Sequence, residues 1–188
     1  MSWLRDYLPR KPLVLDASAL INILGCGATE PVFKSLKFPC LVEDRVLEEI
    51  TRHPVPGLSH VNAVEALIQS ASIELCSMDA QEYELFLTMA QAPLQRRLGA
   101  GESAALAVAS RRGLPIVLDD NKARAVRAAI LPDVEAISSL KLLVSASARL
   151  RWKKLFLRDV LNNALTVSRM GVPKGEKALL REVLADLG

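Results

Sequence analysis

The chain has 188 residues, with 24 Lys and Arg against 21 Asp and Glu, a formal charge of +3, and 51% apolar residues. That length and apolar fraction fit one globular domain with a full-sized core, and so small a charge is weak support for a polyanionic partner. Cys26, Cys40 and Cys76 form no CxxC pair and have only His53 and His60 for company, which argues against a disulfide framework or structural zinc and for a reducing compartment.

The opening segment, MSWLRDYLPRKP, mixes Arg5, Asp6, Arg10 and Lys11 with apolar residues, and no uninterrupted apolar run reaches membrane length, so a cytoplasmic protein without a membrane partner is expected. Leu13 to Leu24, LVLDASALINIL, reads as a buried strand handing over to a buried helix, with Asp16 at the strand's carboxyl end. A buried carboxylate asks for a cation, donors or a helix N-terminus, and Ser18 and Asn22 are candidate donors. Asp16 as a plain helix cap is the competing reading. Gly25 and Gly27 mark an exit, Thr29 to Leu36 a short helical turn, Phe38 to Val42 a second strand, and Arg45 to Arg52 a helix carrying Glu48 and Glu49. Pro54 ends that helix and opens a loop to Ser59, with His53 and His60 expected on the surface at its two ends. Val61 to Ser70 is a helical or irregular connection and Ala71 to Cys76 a strand. Asp79 caps a helix from Ala80 to Ala90, with Glu82 completing a capping box.

In LGAGESAALAVASRRG, Leu98 to Gly113, two glycines permit a sharp turn and Glu102 opens an alanine-rich helix able to sit close to a sheet; its first-turn position favours the ionised carboxylate. Leu114 to Leu118 is a strand followed directly by Asp119 and Asp120, then a helix from Asn121 through Lys122, Arg124 and Arg127 to Leu131. A last strand and turn are placed within Ala136 to Leu143. RLRWKKLFLR, Arg149 to Arg158, is a basic amphipathic stretch. Its Arg149, Arg151, Lys153, Lys154 and Arg158 either line a phosphate track, with Trp152 for stacking, or face water while Leu150, Leu155 and Leu157 pack. A segment from Asn163 to Val172 and a helix from Lys174 to Leu187, with a stripe of Leu180, Leu184 and Leu187, complete the chain.

Strand and helix alternate, which predicts a three-layer α/β/α sandwich with a mostly parallel central sheet whose ligands bind beyond the strands' carboxyl ends. The expected division is a domain over 1–140 and a helical extension over 141–188, packed on it or used for a partner. Asp16, Asp119 and Asp120 fall at that edge. Converging carboxylates call for a divalent cation, and all-oxygen ligands suit Mg²⁺ or Mn²⁺. Neither a dinucleotide motif nor a phosphate loop is present.

The four strings LVLDASALINIL, VLEEITR, GAGESAALAVA and IVLDDNKARAV, in that order, resemble the acidic pattern of PIN-domain ribonucleases, the group that includes VapC-like toxins. The resemblance spans about Leu13 to Leu140. It implies catalytic acids at Asp16, Glu49, Glu102 and Asp120, with Asp16, Glu102, Asp119 and Asp120 holding metal. The hydroxyl usual two positions before the last aspartate is replaced by Leu118, while Asp119, Asp120, Ala123 and Arg124 follow a DDxxAR branch. The implied activity is Mg²⁺- or Mn²⁺-dependent endoribonuclease action, with an antitoxin or a second copy of the chain as possible partners. Ser18, Asn22, Lys122, Arg124, Arg151, Lys153 and Lys154 are the candidate substrate contacts. Two rivals stay open: a non-catalytic PIN-like module binding RNA or protein, and a metal-dependent phosphatase or DNA nuclease.

Overall fold

Val14–Leu15 forms β1, the middle strand of an all-parallel sheet. The computed structural model describes residues 5–52 and 60–185, and of Thr51 and Arg52 only the backbone. Among these residues the sheet has five strands in the order β3-β2-β1-β4-β5, where β2 is Cys40–Glu43, β3 Ile73–Cys76, β4 Ile116–Val117 and β5 Ala136–Ile137. Val14 lies opposite both Leu41 and Ile116, so segments far apart in sequence meet at the sheet centre. Val14, Leu15, Ile116 and Val117 are fully enclosed. Strands buried on both faces read as continuous apolar runs, and a parallel sheet needs helical crossovers that cover both faces.

Those helices are α1 Ala17–Gly25, α2 Thr29–Lys34, α3 Asp44–Arg52, α4 His60–Gln69, α5 Ala80–Ala90, α6 Ala100–Arg112, α7 Asn121–Ile130, α8 Ser139–Leu150, α9 Lys154–Thr166 and α10 Lys177–Leu184. The result is the expected α/β fold with helices flanking the sheet. In α6, Ala104, Ala105, Ala107 and Ala109 are wholly buried, and their small side chains let the helix lie against β1, β2 and β4. Its end is set by Gly113, whose φ of 62° is the left-handed cap conformation. Asp79 and Glu82 form the capping box at the start of α5, and Arg112 reaches back from α6 to Glu82 at 2.7 Å and to the Ser77 carbonyl at 3.0 Å.

Four sequence expectations need correction or closer definition. His60 is buried at 3% exposure where α4 packs on α3 and α1, and burial lowers its pKa and favours the neutral ring. His53 and the Pro54 to Ser59 loop lie outside the described residues, as does Leu187. Within Ala136 to Leu143 the strand is only two residues long; Ser138 then caps α8, its hydroxyl accepting from the Lys141 amide at 3.1 Å. The basic stretch from Arg149 to Arg158 is two helix ends rather than one face. Arg151 adopts φ 55° at the C-cap of α8, and Trp152 packs edge-on to Phe156, which redirects the chain into α9. The last helix spans only α10, preceded by a 3₁₀ turn at Lys174–Glu176, and Val183 is its buried residue.

Candidate functional site

Parallel strands deliver all their carboxyl ends to one edge, and the acids gather there. Asp16 follows β1 with an extended backbone and caps α1. Its Oδ1 accepts from the Ala19 amide at 2.6 Å and its Oδ2 from the Ser18 hydroxyl at 2.8 Å. The side chain is nearly sealed at 1% exposure. Burial, then the charges of Asp119 and Glu102, outweigh those two bonds and push its pKa up to about 8.

Asp119, one residue past the buried Leu118, is the carboxylate beside Asp16. The Ser139 amide donates to its Oδ1 at 2.8 Å, and Asn22 Nδ2 donates to its Oδ2 at 2.9 Å. Burial raises its pKa, while the bonds from Ser139 and Asn22 and the charge of Arg124 hold it back. Asp120 turns outward and caps α7, accepting from the Ala123 amide at 2.8 Å.

Glu102 stands at the third position of α6 and reaches back to the Gly99 amide at 3.1 Å. Its pKa is raised by burial and by the charges of Asp120 and Glu49, against the pull of the Gly99 bond and Lys122. Glu49 arrives from α3 with its Oε2 packed on Gly101, where any Cβ would collide with it. Four segments of the chain therefore bring Asp16, Glu49, Glu102, Asp119 and Asp120 into one linked electrostatic group. Asp16, Glu102, Asp119 and Asp120 nevertheless each accept a hydrogen bond of their own from a backbone amide.

The expected cations divide. Arg124 donates from Nη1 to the Leu118 carbonyl at 2.8 Å and stands within electrostatic reach of Asp119. Lys122 bonds the Leu94 carbonyl at 3.3 Å. Arg149 pairs with Asp6 at 2.9 Å and bonds the Ser35 carbonyl, which ties it to the N-terminal segment and to the end of α2. Lys154 bonds the Ala185 carbonyl, and Arg151 and Lys153 are exposed. Ser18 does serve Asp16, whereas Asn22, the sixth residue of α1, serves Asp119. Sequence reasoning passed over Ser138, Ser139 and Glu176. The adjacent serines after the β5 run are a helix-start signal that marks the first two, but nothing local marks Glu176.

The donor chemistry here fits a divalent cation: oxygen ligands only, buried at Asp16 and Asp119, and mutually repelling without positive charge. The placement is less complete. Among the described residues, no group of three His, Cys, Asp or Glu side chains is set to hold a metal ion. Nor is any described helix long and apolar enough to cross a membrane. A family model described as a PIN domain (DUF3368) matches residues 12–165. No curated protein and no solved structure matched the chain.

Proposed function

The chain belongs to the PIN-domain family, and on that premise we propose that its acidic edge serves a divalent-metal-dependent endoribonuclease. The observation that carries this reading is the buried Asp16, whose carboxyl is raised to about 8 by burial and by the charges of Asp119 and Glu102. Such a group is unfavourable as an anion in the bare protein and is relieved by positive charge. Asp16, Asp119 and Glu102 are the residues assigned to hold Mg²⁺ or Mn²⁺, with Glu49 and Asp120 beside them. The chemistry supplied by a bound cation is Lewis-acid activation of water and neutralisation of charge on the phosphodiester. Asn22 and Ser139 fix the Asp119 carboxylate, and Arg124 stands where it can meet a phosphate. The finer parts of the proposal are a cytoplasmic setting, supported by three scattered cysteines and the lack of a membrane-length apolar run, and a toxin role under antitoxin control, supported by the family resemblance.

A second reading, a non-catalytic PIN module that engages RNA or protein, is favoured by a specific observation. Asp16, Asp119, Asp120 and Glu102 are each already seated on protein donors. This reading requires no movement, whereas the nuclease requires the carboxylates to close in on a cation.

Incubation of purified protein and its Asp16→Asn variant with mixed cellular RNA, in Mn²⁺ or in chelator, separates the two. Metal-dependent fragments from the parent alone support the nuclease. RNA retained by both proteins without cleavage supports the module, and equal cleavage by both would assign the activity to a contaminant.

A further inference from the structure

Glu176 lies outside the residues matched to the family, yet its side chain is carried inward to the site. The chain leaves α9, buries Met170 and Pro173, and turns at Lys174–Glu176 so that Glu176 is only 7% exposed. Its Oε2 accepts from the Ser138 hydroxyl. Its Oε1 lies 3.2 Å from Lys141 Nζ and 3.8 Å from Arg124 Nη2. Ser138 caps the twelve-residue helix α8, so two cations and a wholly buried hydroxyl address one carboxylate beside a helix N-terminus. The neighbouring Ser139 holds Asp119, and Arg124 faces both Asp119 and Glu176. The carboxylate thus adjoins the acidic edge.

These groups are those that bind phosphate, and Arg124 and Lys141 keep 22% and 32% of their side chains open to solvent. The geometry points to an anion site for a phosphate group, built from Arg124, Lys141 and Ser138 and closed by the chain's own Glu176. Withdrawal of the carboxylate removes the ion pairs that Arg124 and Lys141 share through it, leaving Arg124 only the charge of Asp119, so an incoming phosphate replaces it. Taking that phosphate to be part of an RNA strand rests on the functional reading above. On that basis Glu176 is an internal competitor for the substrate backbone, supplied by the C-terminal segment.

The test removes the carboxylate in two ways. Glu176→Ala empties the position, and Glu176→Gln keeps a neutral side chain bonded to Ser138 if truncation prevents folding. Thermal melts in inorganic phosphate against chloride of equal ionic strength should raise the midpoint of either variant by about 2–4 °C and leave the parent unmoved. The Arg124→Gln exchange on top of Glu176→Gln should cancel the gain. No phosphate-specific rise in either variant overturns the anion site. Single-stranded RNA should bind Glu176→Gln about threefold tighter than the parent, with a salt slope steeper by about 1–2. A phosphate-dependent rise without any change in RNA affinity keeps the anion site and counts against RNA as its ligand, so the failure would fall on the functional reading.

Discussion

Removal of the charge at Asp16 should make the bare protein more stable in alkaline solution, the reverse of what truncating a helix cap ordinarily does. Its carboxyl ionises at about 8 in the folded chain against 3.8 in a free side chain. Between these values the folded protein holds a proton that the unfolded chain has released. Stability therefore falls as pH rises through the window, at up to about 1.4 kcal/mol per pH unit, and the loss is complete above about pH 8. Four units at face value give a ceiling of about 6 kcal/mol, which relaxation and water entry in real interiors reduce to roughly half. Asparagine is as good a cap as aspartate, so Asp16→Asn keeps the bond from the Ala19 amide while abolishing the titration. In chelator, denaturant unfolding of the parent should lose about 2 kcal/mol more than the variant between pH 5 and pH 8. Parallel stability curves for the two proteins would refute the argument that Asp16 is a strained anion. On addition of Mn²⁺ at pH 8 the order should reverse, because the parent gains a ligand and the variant does not.

Asn22→Ala strands the Asp119 oxygen that Asn22 now serves and should cost about 1–3 kcal/mol in urea unfolding, far more than a typical exposed asparagine. Gly101→Ala forces the Glu49 carboxylate aside; because that is the free end of a flexible side chain and alanine is the better helix former, stability should hold or rise by up to about 1 kcal/mol while metal affinity, read by calorimetry, falls. Arg112→Ala removes the hydrogen bonds and then the charge that hold Glu82 below its ordinary range, leaving only the Asp79 amide to do so; most of the stabilisation Glu82 gives at neutral pH, normally lost as pH falls through the carboxylate range, should already be missing at pH 7 in thermal melts.

The features legible in the sequence are those written into a few neighbouring residues. The Asp79 and Glu82 capping box, the alanine run of α6 and the Asp16 turn follow from local propensity and dipoles, and they appear in the structure where the sequence puts them. Asp16 and Asp119 converge because every carboxyl end of a parallel sheet shares one edge, and Glu102 joins them from the first turn of α6. Which of Asp119 and Asp120 turns inward depended on Ser139 and Asn22, whose separation from Asp119 in sequence no local pattern encodes. His60 is hidden by helices whose packing no periodicity at that position reveals, and Glu176 is drawn in by partners 35 to 52 residues away. The basic stretch does not form one continuous helical face because charge counting ignores backbone shape, and Arg151 turns the chain in its middle.

The pairing of β1 with β4 governs when the sheet can be completed during synthesis. Val14 waits for Ile116, about 100 residues later, which a ribosome supplies in roughly 5–20 s. Over that interval β1 can pair only with β2, and its other edge is an unsatisfied row of amides and carbonyls. The central strand of the finished protein is thus an open edge in the nascent one. Asp16, at the end of β1, remains in water until α6, β4 and Asp119 arrive, so the carboxylate becomes buried among its neighbours only in the closing stage of assembly.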